Sequence, residues 1–389
     1  MDVTGPPDPR TARWAWAEID LDAVEHNVRV LRDVVRPAEV WAVVKANGYG
    51  HGAMTVARAA LQAGVTGLCV ALVHEGVELR SAGIDAPILV LSQQPPAALS
   101  SMVAADLTPT VYDRAMLDGV TAAVRSAGRT DYGVHVKVDT GMHRVGAEPH
   151  QAIRLATEVL ARRPTLRLAG VFTHLAVADQ PQQEFTAAQL ARFDDVLRSL
   201  AAVGIDPGTV HVANSAGALA HPAARRHVVR AGIALYGIAP GPEIADRCGD
   251  LRPVMSLKSR VSYVKRVAAG ERISYGLRYR FERAATVATV PIGYADGVRR
   301  AFGTSGGHVL IGGRRRPIAG VVTMDQLTVD CDEDDVDIGD EVVLIGAQGD
   351  ERITVEDWAD ALGTIGYEIV CGVSDRVPRM LVRSSWGGR

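Results

Sequence analysis

Between residues 38 and 240 the chain repeats one pattern, a short valine- and leucine-rich run followed by a longer stretch of helical period. The runs are VWAVV, GLCVAL, PILVLS, LTPTVY, VHVKV, LAGVFTH, TVHVAN and VVRAGIALYG. Several intervening segments are amphipathic. In EFTAAQLARFDDVLRSLAAVGI, Leu190, Phe193, Leu197 and Leu200 are spaced to share one helix face. Strand and helix alternating eight times over roughly 200 to 250 residues specify an α/β fold of the (β/α)8 TIM-barrel type. An open doubly wound sheet is the alternative, but the G-x-G-x-x-G fingerprint that usually follows its first strand is absent here.

After residue 252 the texture changes to short alternating runs separated by glycine and aspartate: SLKSRVSYVKRV, TVATVPIG, GHVLIGG, RRRPIAGVV, QLTVDC and DEVVLIG. That pattern predicts a mainly antiparallel β-domain closed by a short helix near VEDWADALGT and a last strand near PRMLV. The domains are therefore drawn as a disordered, proline-rich segment over residues 1–12, a barrel over 13–251 and a β-domain over 252–389, with the boundary near LRPVM. The early run RWAWAEIDLDA precedes a helix in which Val24, Val28, Leu31 and Val35 form the apolar stripe. With eight barrel strands already counted, this run is available to pair with the β-domain. Arg314, Arg315 and Arg316 read as a solvated hairpin edge.

Bulk properties exclude several function classes. The chain is 47% hydrophobic and 22% charged, and no uninterrupted apolar stretch is long enough to span a bilayer. A net charge of -3 supplies no basic field for nucleic acid. The first residues carry neither the basic start nor the apolar core of a signal peptide, so a cytoplasmic location is expected. Cys69, Cys248, Cys331 and Cys371 are scattered without a CxxC pair, which points away from a disulfide framework or a zinc cluster; no metal site is expected.

In barrels of this kind the active site lies where strands deliver their C-terminal ends. Unusual polar residues fall at those ends: Lys45 after the first run, Lys137 with Asp139 and Arg144 at the fifth, His174 at the sixth, Asn214 and Ser215 at the seventh, and Arg230 within the eighth. Any one of these could be an isolated, satisfied residue; five placements on one rim argue for a site. The loops after strands seven and eight commonly bind phosphate in barrels, and here they supply Ser215 and Gly232, whose missing Cβ lets backbone approach an anion. A lysine facing a phosphate site suits pyridoxal 5'-phosphate (PLP), which offers an aldehyde at one end and a phosphate at the other.

The ordered set VKANGYGHG, VKVDTGMHRVG, THLAVAD, HVANSAGAL, VRAGIALYGIAP, ISYG, VPIGYADG, MDQ and TIGYEIV, spread over about residues 15 to 381, resembles the fold-type III PLP enzymes and specifically the alanine racemase family. The resemblance implies a PLP-dependent racemase that interconverts L- and D-alanine by two bases and supplies D-alanine for peptidoglycan. Lys45 would hold the cofactor and serve as the base on one face of the substrate's α-carbon. Tyr275, contributed by the partner subunit, would be the other base, which implies an obligate homodimer with shared active sites. Tyr49, Ser215 and Tyr367, with the backbone of Gly232 and Ile233, would hold the phosphate, and Asn214 and His174 would also line the cofactor site, His174 assisting Tyr275. Arg230 would face the pyridine nitrogen. Since arginine only donates hydrogen bonds, the nitrogen would stay unprotonated, which favours racemisation over transamination. Arg144 and the backbone of Met324 would engage the substrate carboxylate. Lys137 matches a lysine carbamylated in many members, where it orients the arginine.

This sequence departs from the family pattern at Asp375, where tyrosine is common, His143 and Thr323, which replace glycine and cysteine, and Gly48, which replaces alanine. These positions bear on side-chain specificity and access. The alternatives are a serine or broad-specificity amino-acid racemase of the same fold and a PLP-binding regulatory protein. A fold-type III decarboxylase is disfavoured by Arg230 in the ring-nitrogen position. A cofactor-free Schiff-base aldolase would also use a barrel lysine but has no use for that arginine.

Overall fold

The structure, a computed structural model, describes residues 13–383; the segment 1–12 expected to be disordered lies outside the described residues. The chain divides into two compact units, Ala23–Arg252 and a second made of the described residues up to Asp22 together with Pro253 onward.

In the first unit the eight sequence runs become eight strands: β2 (Glu39–Val43), β3 (Gly67–Val70), β4 (Ile88–Val90), β5 (Thr108–Val111), β6 (Tyr132–Lys137), β7 (Leu166–Phe172), β8 (Thr209–His211) and β9 (Val228–Ala231). They close into a parallel barrel in chain order, β9 returning to β2 with Val40 opposite Val229 and Trp41 opposite Arg230. Helices cover the outside. In the helix Leu21–Val35 the stripe Val24, Val28, Leu31 and Val35 is fully buried. In Phe185–Ala202, Leu190, Phe193 and Leu200 are buried as the spacing requires, whereas Leu197 is only half-buried and Val196 takes the inner place. Asn27, on the inner face of Leu21–Val35, is also fully buried. It donates to the carbonyls of Leu235 (3.1 Å) and Arg252 (2.8 Å) and accepts from the amide of Arg252 (2.8 Å), satisfying the chain where it leaves the barrel.

The second unit contains a strand that the domain boundaries assigned to the barrel. This strand, β1 (Ala15–Asp20), pairs antiparallel with Met255–Arg260 and parallel with Arg379–Val382, so residues 13 to 22 belong to the β unit rather than to the barrel drawn from residue 13. The physical reason is that the barrel is already closed, while AWAEID buries Ala15, Trp16, Ala17 and Ile19 in the middle of the other sheet. Lys258 bridges Glu18 at 3.1 Å and Glu341 at 3.5 Å across three neighbouring strands of that sheet. A separate three-stranded antiparallel sheet is formed by Tyr263–Val267, Ala285–Val290 and Leu327–Asp330. The short helix Val355–Leu362 begins at Thr354, whose hydroxyl accepts from the amide of Asp357 (3.0 Å), and it buries Trp358 with its indole donating to the carbonyl of Leu344.

The arginine run does lie on an edge strand, Arg314–Pro317, hairpinned to His308–Ile311. It is not simply solvated. The side-chain alternation of a strand turns Arg316 inward, where it is buried, donates to the carbonyl of Cys331 at 3.1 Å and pairs with Asp334. Arg314 also pairs with Asp334, and Arg315 pairs with Glu351, so all three cations have carboxylate partners.

Replacing Asn27 by Leu removes three hydrogen bonds, to the carbonyls of Leu235 and Arg252 and from the amide of Arg252, at the barrel's exit. The expected cost is about 2–4 kcal/mol, read as a lower urea midpoint than that of the parent chain; an unchanged midpoint would mean that these bonds add nothing.

Candidate active site

The site begins with the chain leaving β2. Lys45 follows the strand by two residues, and the next residues form one turn of left-handed helix: Ala46 (φ +52°), Asn47 (+51°), Gly48 (+62°), Tyr49 (+52°) and Gly50 (+81°). Such a turn costs L-residues roughly 1–2 kcal/mol each, so it persists only where its surroundings hold it. Here they do. The amide of Ala46 donates to Glu75 (2.7 Å), the amides of Gly48 and Gly50 return to the carbonyls of Val44 and Ala46, and Asn47 accepts from the amide of Ala53 (2.9 Å). The other Glu75 oxygen accepts from the amides of Ala71 and Leu72, tying the turn to the segment after β3. Gly48 now has a physical reading. It takes φ +62° without strain, and a Cβ there would lie 3.2 Å from the backbone of Ala53.

Across the barrel the Ser215 hydroxyl accepts from the amides of Gly232 (2.8 Å) and Ala234 (3.3 Å). A Cβ on Gly232 would fall 2.6 Å from the Tyr49 hydroxyl, so the absent side chain lets the phenol approach the Gly232 backbone beside Ser215. Ile233 is buried in the short 3-10 turn Ile233–Tyr236, and the Tyr49 ring packs 5.0 Å from that of Tyr236. The Asn214 side-chain oxygen caps the helix Ser215–Ala220 by accepting from the amide of Gly217 at 2.9 Å.

The floor of the site is cationic. Arg230 is only 3% exposed, yet it has no carboxylate among its hydrogen-bond acceptors, which are the imidazoles of His211 (2.7 Å) and His174 (3.1 Å) and the carbonyls of Thr173 (2.8 Å) and Val212 (3.0 Å). Burial draws it down from 12.5 to about 10, still far above neutral, so it stays charged. Lys137 ends β6, is buried, and is drawn from 10.5 to about 7, first by burial and then by Arg230, Arg144 and Lys45. Among the described residues the one carboxylate acting on Lys137 is Asp139, and that group already accepts from the amides of Gly141 and His143. His174 is held well below its ordinary 6.5 by burial and the same cations, and is therefore neutral. Arg144 sits exposed on the loop that the amides of Asp139 and Ala147 close, beside His143, which adopts φ +55° with its ring 3.6 Å from Asp139.

The β unit contributes the other candidates. Ser274, at φ +67°, donates from its hydroxyl to the carbonyl of Val321 (2.7 Å) and turns Tyr275 outward, 68% exposed. The exposed Met324 lies on a loop whose carbonyls at Thr323 and Met324 accept from the amides of Tyr294 and Ala295. Thr323 closes that loop by donating from its hydroxyl to the carbonyl of Gln326 (2.7 Å), which gives that departure a structural purpose. Tyr367 is half-buried in the helix Gly366–Cys371, and Asp375 is exposed on a loop pinned by Arg379, which donates to the carbonyls of Val373 and Val377.

Comparison with known proteins decides the family. Residues 19–240 match the alanine racemase N-terminal domain and residues 254–381 the alanine racemase C-terminal domain. The chain belongs to the alanine racemase family. It is 48% identical over 380 residues to an alanine racemase of Symbiobacterium thermophilum, covering 97% of this chain and 98% of that protein. The crystal structure of the alanine racemase from Streptomyces coelicolor superposes with a TM-score of 0.92 at 40% identity, covering 97% of this chain and all of the other. A histidine racemase from Leuconostoc mesenteroides shares the architecture at 28% identity and a TM-score of 0.87, covering 98% of this chain and all of that one. As a member of this family the chain is a racemase.

Within the barrel unit the residues expected at the site of an alanine racemase family member are delivered by the expected strand ends: Lys45, Tyr49, Lys137, His174, Asn214, Ser215, Arg230, Gly232 and Ile233. Tyr275, Met324 and Tyr367 belong to the β unit. Four supporting residues escaped the sequence reading. Glu75 holds the Lys45 turn. Gln189, fully buried, donates to the carbonyl of His174 and accepts from the amide of Ala176, fixing the loop that carries His174. His135 and His211 lie beneath Arg230. The last two had a signal: each is a lone histidine flanked by valines within a strand, and His135 shares the side-chain parity of Lys137.

Gly48→Ala is expected to lower stability by about 1 kcal/mol through the left-handed backbone alone, and an unfolding midpoint equal to the parent's would show that the turn relaxes. Lys137 gives a pH test. Unfolded, it keeps its proton up to 10.5; folded, only up to about 7. Between these values the unfolded chain binds more protons, so stability rises with pH across that window, and the penalty is full and constant below it. In bicarbonate-free buffer, Lys137→Met should be more stable than the parent near pH 7 and lose part of the rise toward pH 10, a difference on the order of a few kcal/mol; parallel stability curves would contradict the buried charge.

Proposed function

We propose that the chain interconverts L- and D-alanine with pyridoxal 5'-phosphate as cofactor, in the cytoplasm, as a homodimer whose second copy completes each site, supplying D-alanine for peptidoglycan. The observation that carries this reading is the cationic floor: Arg230, Arg144 and Lys45 all act on the buried Lys137, while Asp139 is the one carboxylate acting on it among the described residues. Such a cluster calls for anionic ligands. A phosphate suits the Tyr49 and Ser215 hydroxyls that meet at the Gly232 backbone, a carbonyl suits Lys45, and a substrate carboxylate suits Arg144. Carbamylation of Lys137 would place an anion among these cations, and its depressed pKa provides the neutral amine that this reaction needs.

When bound, pyridoxal phosphate supplies a covalent anchor for the amino acid and a ring that withdraws charge from its α-carbon. Lys45 anchors it and then takes or returns the proton on one face of the substrate. Tyr275 of a second copy acts on the other face. Arg230, a donor only and still charged, would hold the ring nitrogen unprotonated, which would favour return of the proton to the α-carbon. His174 accepts from Arg230 through Nδ1, which leaves its proton on Nε2, a donor suited to stabilising a tyrosinate. Met324 contributes its backbone amide to the substrate carboxylate, and Tyr367 and Asn214 add polar contacts around the cofactor. The exposed Tyr275, Leu277 and Met324, large hydrophobic side chains on neighbouring turns of the β unit, support a covering second copy. No helix among the described residues is long and apolar enough to cross a membrane.

A serine-, histidine- or broad-specificity racemase is the second reading, favoured by the polar replacements Asp375 and His143. The purified protein is expected to be yellow, with borohydride fixing the cofactor on Lys45; a colourless protein without adduct would remove the cofactor. Tyr275→Phe should keep the absorption and lose at least about a thousandfold in racemisation, the scale of a lost acid–base catalyst, and near-normal turnover would dismiss the second base. A chiral assay over alanine, serine and histidine in deuterated water should show alanine turned over fastest, whereas a faster serine or histidine would select the second reading.

A further inference from the structure

Beneath Arg230 the barrel interior contains a line of three side chains from three strands. Arg230 NH1 lies 2.7 Å from His211 Nδ1, and His211 Nε2 lies 2.9 Å from His135 Nδ1. All three are buried. The hydrogen-bond roles along this line are forced. A guanidinium only donates, so His211 Nδ1 must present a lone pair, and the single proton of a neutral imidazole must then sit on Nε2. That proton points at His135 Nδ1, which must accept in its turn. Both rings are kept neutral by burial and by the cations around them, which draw His135 down to about 3 and His211 well below 6.5.

Packing removes other arrangements. The His211 ring is stacked on Phe172, with centroids 4.5 Å apart and planes 12° from parallel, and Trp41 packs within 6 Å of both imidazoles. Gly170 makes room for His135, since a Cβ there would lie 2.5 Å from the imidazole Cε1. His211 therefore cannot swing away, and its Nε2 proton depends on an acceptor at position 135. With no acceptor there, a buried N–H would be orphaned, and the other tautomer would satisfy it only by aiming Nδ1–H at the Arg230 N–H, donor against donor.

We propose that His135 is a positioning residue of the active site: it accepts the Nε2 proton of His211 and so holds the ring that in turn sets the orientation of the Arg230 guanidinium. The role toward the ring nitrogen rests on the proposed cofactor reading, whereas the tautomer chain rests on the barrel alone.

The test is long-range proton–nitrogen NMR of the holoenzyme labelled with 15N-histidine, with two variants. In the parent protein His211 is expected as the neutral tautomer protonated at Nε2. His135→Gln, whose amide oxygen can accept, should keep that signature. His135→Phe, a ring without an acceptor, should leave the His211 Nε2 proton unbonded, moving the Nε2 and attached-proton shifts away from those of the parent, and lower kcat roughly ten- to hundredfold, the size of an orphaned buried donor, with KM little changed. The proposal is overturned by a parent His211 protonated at Nδ1, or by His135→Phe leaving the His211 signals of the parent in place. If the Phe variant does not fold, the parent and Gln spectra still decide. A protein without chromophore would remove the cofactor reading and leave the tautomer result intact, so the two failures are distinguishable.

Discussion

A buried positive charge without a carboxylate partner among the described residues is the constraint around which the barrel is arranged. Arg230 lies within β9 with two imidazoles and two main-chain carbonyls as acceptors, and Lys137 is discharged toward neutral pH by its burial first and then by that charge and its neighbours. Isolated charges in a protein interior cost several kcal/mol unless something offsets them. Dipoles of carbonyls and neutral histidines offset part. What is left favours an anion, and the Tyr49 and Ser215 hydroxyls meet at the Gly232 backbone where β8 and β9 end.

The same constraint accounts for features that otherwise look like local oddities. The left-handed turn after Lys45 is strained, yet Glu75 and Asn47 hold it, because a regular helix starting at that point would carry Tyr49 elsewhere. Gln189 spends all its bonding on the segment from Thr140 to Ala176 that carries His174. Gly170 and Gly232 are glycines because an imidazole and a phenol occupy the space of their side chains. Rigidity at the mouth is thus assembled from side chains that touch no substrate themselves.

Much of this was legible in the chain. The eight apolar runs match eight strands, because parallel strands buried on both faces need continuous apolar segments that periodicity detects directly. The rim residues were legible because lysine, histidine and arginine at apolar strand ends are rare. Three things were not. That β1 was available to the β-domain followed from the count of barrel strands, but its partners, Met255–Arg260 and Arg379–Val382, rest on long-range pairing that no local pattern encodes. The burial of Arg316 depends on Asp334, eighteen residues on. The roles of His135 and Glu75 depend on partners 76 and 29 residues away in sequence, and a lone histidine in a strand or glutamate in a helix carries no sign of them.

The central claim is that the cationic mouth is completed by a phosphorylated, lysine-reactive ligand. The most direct measurement is the unfolding temperature of protein stripped of small molecules, recorded with added pyridoxal phosphate, with pyridoxal lacking the phosphate, and with neither. The account predicts a rise of several degrees with pyridoxal phosphate, as mass action requires of a ligand that binds only the folded state, and a much smaller rise with pyridoxal. Equal unfolding temperatures in all three samples would contradict it.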